Sequence, residues 1–257
     1  GDDLIHVGSN FTSQANSGGD VNEINADLTI IGGVGNDKLT ADETGETIGN
    51  AGVLTDNTVS GLGMAGVIRY DSSLEALNIA LGGGHDRFDI RSTSAFAVST
   101  IDTGLGNDVL NVSSDAPLNS ETANLDEIRG DLYLHAGDGL NTLNINDHGG
   151  TADSDVLISR DMITGLAPAA IHYTTNENGD PGTEPTGTGS FRGGVNIWAA
   201  AGDNSISIES TREGDVTTLW LNHGDDSVTA VDDGSGPDGL LVLHGEEGRD
   251  IIDGSAW

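Results

Sequence analysis

Eight glycines of this chain share one neighbourhood. Two residues after Gly1, Gly35, Gly84, Gly106, Gly139, Gly202, Gly224 and Gly248 come Asp3, Asp37, Asp86, Asp108, Asn141, Asn204, Asp226 and Asp250. Four residues after the glycines stand Ile5, Leu39, Phe88, Leu110, Leu143, Ile206, Val228 and Ile252, all apolar. Glycine reaches positive φ and lets another backbone come close. Asp and Asn turn a chain by bonding their side chains to nearby main chain, which alone would make each of these a structural corner. The same residues also offer carboxylate and carbonyl oxygens. Those hard donors suit calcium, which takes about six to eight of them at roughly 2.3–2.6 Å. A column of such carboxylates repels itself unless a cation sits among its members.

The elements that must position these corners are legible in the flanks. Five residues before the last seven glycines lie Ile30, Ile79, Ile101, Leu134, Ile197, Leu219 and Leu243, and apolar residues alternate on both sides. A period of two means a strand with one buried face. The unit is therefore strand, tight corner, strand. No segment carries a capped 3.6-residue pattern, so very little helix is expected. Gly84 to Gly106 and Gly202 to Gly224 are both 22 residues. Coils of that length suit an all-β fold, a parallel β-solenoid in which like corners form columns. The 49 residues from Gly35 to Gly84 leave room for two coils, with "GLG" at 61–63 as an unmarked middle corner. Tandem antiparallel β-sandwich repeats, each of ~100 residues, are the alternative.

A longer repeat lies above the short one. "DLTIIGGVGNDKL" (27–39) matches "DLYLHAGDGLNTL" (131–143) at an offset of 104, and "LNIALGGGHDRFDIRST" (77–93) matches "VNIWAAAGDNSISIEST" (195–211) at 118. Residues 1–27 then read as the end of a preceding repeat, 28–131 as one repeat and 132–240 as the next. Residues 241–257 read as the start of a further one, all in one continuous solenoid. The additional residues fall near 174–190, a Gly-, Pro- and Thr-rich inserted loop. The opening "GDDLIHV", like the second half of a corner, reads as part of a longer protein.

Composition narrows the function. Of 257 residues, 42 are Asp or Glu and 9 are Lys or Arg, a formal charge of -33. Such a chain repels nucleic acids and anionic membranes and attracts cations. Aromatic residues are 4%, so a thin aliphatic core is expected. There is no Cys, which excludes disulfides and thiolate metal sites. The seven His are scattered, no nucleophile elbow stands out, and "GGVGND" lacks the Lys and Ser/Thr of a phosphate loop. Acid pairs such as Asp225–Asp226 and Asp232–Asp233 suit glycosidic chemistry but arise by chance at this acid density. Trp198, Trp220 and Trp257 suit stacking on sugars, yet the matching repeat positions hold other residues.

"GGVGNDKL" (32–39) fits the glycine-aspartate nonapeptide G-G-x-G-x-D-x-apolar-x, and "LGGGHDRF" and "TGLGNDVL" match its second and fourth glycines, aspartate and apolar position. "HGDDSV" and "EGRDII" keep the Gly-x-Asp-x-apolar half. In these corners the chain resembles a segment of the RTX (hemolysin-type calcium-binding) proteins, which are bacterial and secreted or surface-exposed. The resemblance implies calcium held by Asp37, Asp86, Asp108, Asp226 and Asp250, with Asp3 in its truncated corner, and by main-chain carbonyls of glycines such as Gly33, Gly35, Gly84 and Gly106. The family's nonapeptides run in tandem. Here each corner stands alone, so a tandem calcium roll is not implied.

The expectation is a non-catalytic, calcium-binding β-repeat segment of an extracellular or cell-surface bacterial protein, serving as spacer, adhesin or surface-layer element. Its partners would be calcium ions, neighbouring repeats, and cell-surface or matrix components. The rivals are a polysaccharide-active β-helix enzyme or its accessory module, and a halophilic repeat whose acids serve solvation alone.

Overall fold

A computed structural model describes residues 1–10, 18–118, 120–174, 190–231 and 239–255. Among them there is strand and no helix. The chain opens with β1 (Leu4–Val7), β2 (Leu28–Ile30), β3 (Lys38–Asp42), β4 (Ala51–Leu54), β5 (Thr58–Gly61) and β6 (Ile68–Tyr70). It continues with β7 (Ala76–Ala80), β8 (Arg87–Ile90), β9 (Val98–Asp102) and β10 (Val109–Val112). Next come β11 (Leu132–His135), β12 (Thr142–Asn146), β13 (Val156–Ile158), β14 (Met162–Thr164) and β15 (Ile171–Thr174). The last are β16 (Gly194–Trp198), β17 (Ser205–Ile208), β18 (Val216–Trp220), β19 (Ser227–Ala230), β20 (Leu240–His244) and β21 (Ile251–Asp253).

Two sheets result. The first has 11 strands in the order β1-β3-β7-β9-β11-β15-β14-β13-β17-β19-β21, the second 10 in the order β2-β6-β5-β4-β8-β10-β12-β16-β18-β20. The chain crosses from one sheet to the other at nearly every turn. Ladders are parallel except inside two three-strand meanders, β4-β5-β6 in the second sheet and β13-β14-β15 in the first. The fold is thus all-β with parallel-rich mixed sheets. The "GLG" at 61–63 is not a middle corner. It ends β5 and leads into β6 within the same sheet, with Leu62 at φ 53. The pattern misled because period two says nothing about strand direction.

The alternating residues explain the packing. In the second sheet Phe88, Leu110, Leu143 and Val195 stand in register, as do Ile90, Val112, Ile145, Ile197 and Leu219. In the first, Ile79, Ile101, Leu134 and Tyr173 form such a row. All are buried and belong to one apolar cluster drawn from both sheets. Gly52 on β4 faces the Phe88 ring of its neighbour; a Cβ there would lie 2.5 Å from the ring carbons, so the large side chain needs the missing one. Fully burying a Leu or Ile side chain stabilises by roughly 1.5–3 kcal/mol, which makes these rows the main source of cohesion.

The strand succession from β2 to β10 returns from β11 to β19, meander included. The sheets are exchanged in the return: β2 lies in the second sheet, its counterpart β11 in the first, and β20 in the second again. An odd number of crossings per unit has this effect. Strands of one sheet, β14 or β5 excepted, begin at one rim, so equivalent corners of successive units lie at opposite rims.

Candidate functional site

The corner side chains stand in three short columns. In the first, at the rim where first-sheet strands begin, Asp37 Oδ1 accepts the Asp3 N–H (2.7 Å) and Glu75 Oε2 accepts the Asp37 N–H (2.6 Å). The second lies at the opposite rim. Asp86 Oδ1 takes the Asn50 N–H (2.7 Å), Asp108 Oδ1 the Asp86 N–H (2.8 Å), and Asn141 Oδ1 the Asp108 N–H (2.9 Å). The third returns to the first rim. Asn204 Oδ1 takes the Asp153 N–H (2.9 Å), Asp226 Oδ1 the Asn204 N–H (2.8 Å), and Asp250 Oδ1 the Asp226 N–H (3.2 Å). Each side chain reaches back to the neighbouring strand of its own sheet and satisfies a main-chain donor just before that strand begins. An unpaired buried N–H would cost about 1–3 kcal/mol.

The glycines make the stacking possible. Gly106 and Gly139 sit at φ +143 and +123. A Cβ on Gly106 would collide with the carbonyl oxygen of Gly84, and one on Gly139 with that of Gly106. The carbonyls of one corner therefore press against the glycine of the next.

The second carboxylate oxygen has a different fate. Oδ2 of Asp37, Asp86, Asp108 and Asp226 is buried and has no hydrogen-bond partner among the described residues. The four residues are at most 5% exposed. Burial pushes Asp108 up to about 6; the Asp86 N–H opposes this and the Asp86 charge adds to it. Burial also raises Asp86 against the pull of the Asn50 N–H, and raises Asp226 against its bonds from Asn204. At the head of the third column Asp153 is set against buried Asp147, whose carboxylate takes the Leu125 N–H at 2.7 Å. Burial raises both, and the Asp153 charge adds to the rise of Asp147.

The two Asn corners differ. Asn141 Nδ2 donates to Gly137 O at 2.9 Å. Asn204 Nδ2 lies 2.9 Å from each of Ala200 O, Gly202 O and Asp226 Oδ1. Nothing polar in these side chains is left over.

A second ladder runs beside the first in the opposite sense. In five corners the residue before the Asp or Asn reaches forward to the next strand of its own sheet. Asp2 Oδ1 accepts the Asn36 N–H (2.9 Å), His85 Nδ1 that of Asn107 (2.9 Å), and Asn107 Oδ1 that of Leu140 (2.9 Å). Asp203 and Asp225 act alike on Asp225 and Arg249.

Of the residues expected to bind metal, Asp37, Asp86, Asp108 and Asp226 stand inside columns with Gly35, Gly84 and Gly106 stacked beside them. Asp3 and Asp250 end columns and are not fully buried; Asp3 is exposed. Gly33, at φ +97, lies further round its turn and donates its N–H to Ser73 Oγ. Column members Asn50, Glu75 and Asp153 escape a search for Gly-x-Asp, because none has a glycine two residues before it. The third is hidden further by an additional residue, Asp155 at φ 64. Among the described residues no three acidic, His or Cys side chains gather round one point. An ion here would depend on one or two carboxylate oxygens together with carbonyls and water, an all-oxygen set that fits calcium.

The sugar-stacking Trp residues are otherwise engaged. Trp198 and Trp220 stack at 4.5 Å, and Trp220 on His244 at 5.2 Å, with rings within 6° of parallel. Trp257, the acid pair Asp232–Asp233 and most of the inserted loop lie outside the described residues. No family model, curated protein or solved structure matches the chain.

Proposed function

We propose that this chain is a calcium-binding β-repeat segment, solenoidal in architecture and RTX-like in its corners, of a large extracellular or cell-surface bacterial protein. Its role is structural, as a spacer, adhesin or surface-layer element stiffened by calcium. One observation carries this reading: four stacked corners each bury an anionic oxygen that has no partner. A buried unpaired carboxylate is costly, and it shifts its pKa or finds a cation. Asp37, Asp86, Asp108 and Asp226 would hold the ions, with turn carbonyls completing the set. The ions would supply positive charge between carboxylates that otherwise repel. The formal charge of -33 favours cation uptake in general. Trp220, with Trp198 on one ring face and His244 on the other, weighs against a sugar-stacking enzyme groove.

Calorimetric titration of the chelator-stripped chain with calcium tests the reading, with melting measured alongside. An ion that binds only the folded state stabilises it by about 2.7 kcal/mol at a hundredfold excess over Kd. The expected outcome is saturable binding with a rise in Tm that sodium chloride of equal ionic strength does not reproduce. Equal responses to the two salts would leave the halophilic reading in its place.

A further inference from the structure

Aspartate and asparagine have nearly the same shape, and the corners use both. The first oxygen does the same work in each, accepting an N–H from the corner stacked before it. The difference lies in the second atom. In Asn204 it is a nitrogen surrounded by three oxygens, Ala200 O, Gly202 O and Asp226 Oδ1, each at 2.9 Å. In Asn141 it is a nitrogen that bonds Gly137 O, again the carbonyl four residues back. An amide has two protons to give to such a ring of acceptors. In Asp37, Asp86, Asp108 and Asp226 the same atom is a carboxylate oxygen, buried and without a partner. The corresponding carbonyls belong to Gly33, Gly82, Gly104 and Asn222. An anionic oxygen beside such a carbonyl is repelled; the Thr103 hydroxyl near Asp108 and the Gly82 N–H near Asp86 relieve this only in part, so something electropositive is called for where the amide has its two protons.

We propose that the choice between Asp and Asn addresses the ions: Asp37, Asp86, Asp108 and Asp226 each take one divalent cation, while Asn141 and Asn204 are closed corners whose own amide does the cation's work. This rests on the calcium reading and adds to it a stoichiometry, a map, and an unusual consequence for mutagenesis. Replacing a ligand carboxylate by its amide ordinarily damages a metalloprotein. Here Asp108→Asn closes a corner, so the ion-free chain gains stability. Asn204→Asp opens one. Asp153 also has an unpartnered Oδ2, but it heads its column beside Asp147 and is only half-buried, so it stands outside the set.

The test compares wild type, Asp108→Asn, Asp86→Asn and Asn204→Asp, each stripped with EDTA and then titrated with calcium chloride. Ions per chain are counted by elemental analysis after dialysis. Melting is followed by circular dichroism in EDTA and in calcium. The expected result is one ion fewer in each Asp→Asn variant and one more in Asn204→Asp. In EDTA, Asp108→Asn and Asp86→Asn melt above wild type and Asn204→Asp below it; calcium narrows these gaps. An unchanged ion count in Asn204→Asp, or Asp→Asn variants that melt below wild type or fail to fold in EDTA, overturns the proposal. A wild-type chain that takes up no calcium overturns the calcium reading instead, whatever the variants do.

Discussion

The second and third columns occupy equivalent places in successive units, yet their acids are arranged differently: three of the four positions exchange Asp for Asn or Asn for Asp. The second has Asn50 and Asn141 at its ends and Asp86 and Asp108 within; the third has Asp153 and Asp250 at its ends and Asn204 beside Asp226 within. What recurs is an oxygen that accepts the neighbouring N–H. Charge is distributed independently of that oxygen. The corners thus separate two jobs that one residue type appeared to combine in the sequence: holding the strand's first donor, which Asn and even Glu75 perform, and carrying a buried negative charge.

The comparison breaks most severely at the glycine between stacked corners. Gly106→Val adds a side chain at φ +143 against the Gly84 carbonyl. Urea unfolding is expected to lose about 3 kcal/mol or more. Gly83→Ala is the control, since a Cβ there meets nothing closer than 3.7 Å; a cost for it equal to that of Gly106→Val would mean that the stack is not the constraint. The amide corners come next. Asn204→Ala leaves the Asp153 N–H and the Ala200 and Gly202 carbonyls without their partner, whereas Asn141→Ala leaves the Asp108 N–H and the Gly137 carbonyl. Each is expected to cost about 1–3 kcal/mol, the third-column change more than the second. Reversal of that order in denaturant melts would show that the columns differ in some other contact.

Acidity sharpens the picture further. Glu43, just after β3, takes the Val21 N–H at 2.6 Å and is otherwise buried; burial, opposed by that bond, pushes it up to about 7. The folded chain then binds the Glu43 proton more tightly than the unfolded chain, so stability is greatest below about pH 4.5. It declines as pH rises towards 7 and is level above. Glu43→Gln removes the Glu43 share of this decline and leaves that of the other buried acids such as Asp108, so calcium-free melts from pH 4.5 to 8 would fall less steeply; parallel curves for the two chains would refute the assignment. The smallest effect is expected outside the columns. Trp220→Ala breaks two ring stacks on the sheet surface and should cost about 1 kcal/mol, with calcium uptake unchanged by titration.

Much of this architecture can be read from residue spacing. Gly-x-Asp with apolar residues on either side marks the corners, and alternation marks the strands, because both are local. What escapes is relational. Nothing local in "GNAGVL" shows that Asn50 pairs with Asp86; only the register of β4 on β8 does. The two meanders look like further alternating strands because the pattern does not record direction. The unpartnered Oδ2 atoms depend on burial by the corners stacked on either side, so Asp86 and exposed Asp3 read alike in the sequence and differ in the fold.

The exchange of sheets from β2 to β11 to β20 has an outcome for anything that grips the molecule from the side. A long partner lying along one flank would meet a given set of side chains only in every other unit, while a second partner on the far flank would meet the units between. One sequence period thereby furnishes two chemically alike tracks, facing away from each other and offset by a single repeat.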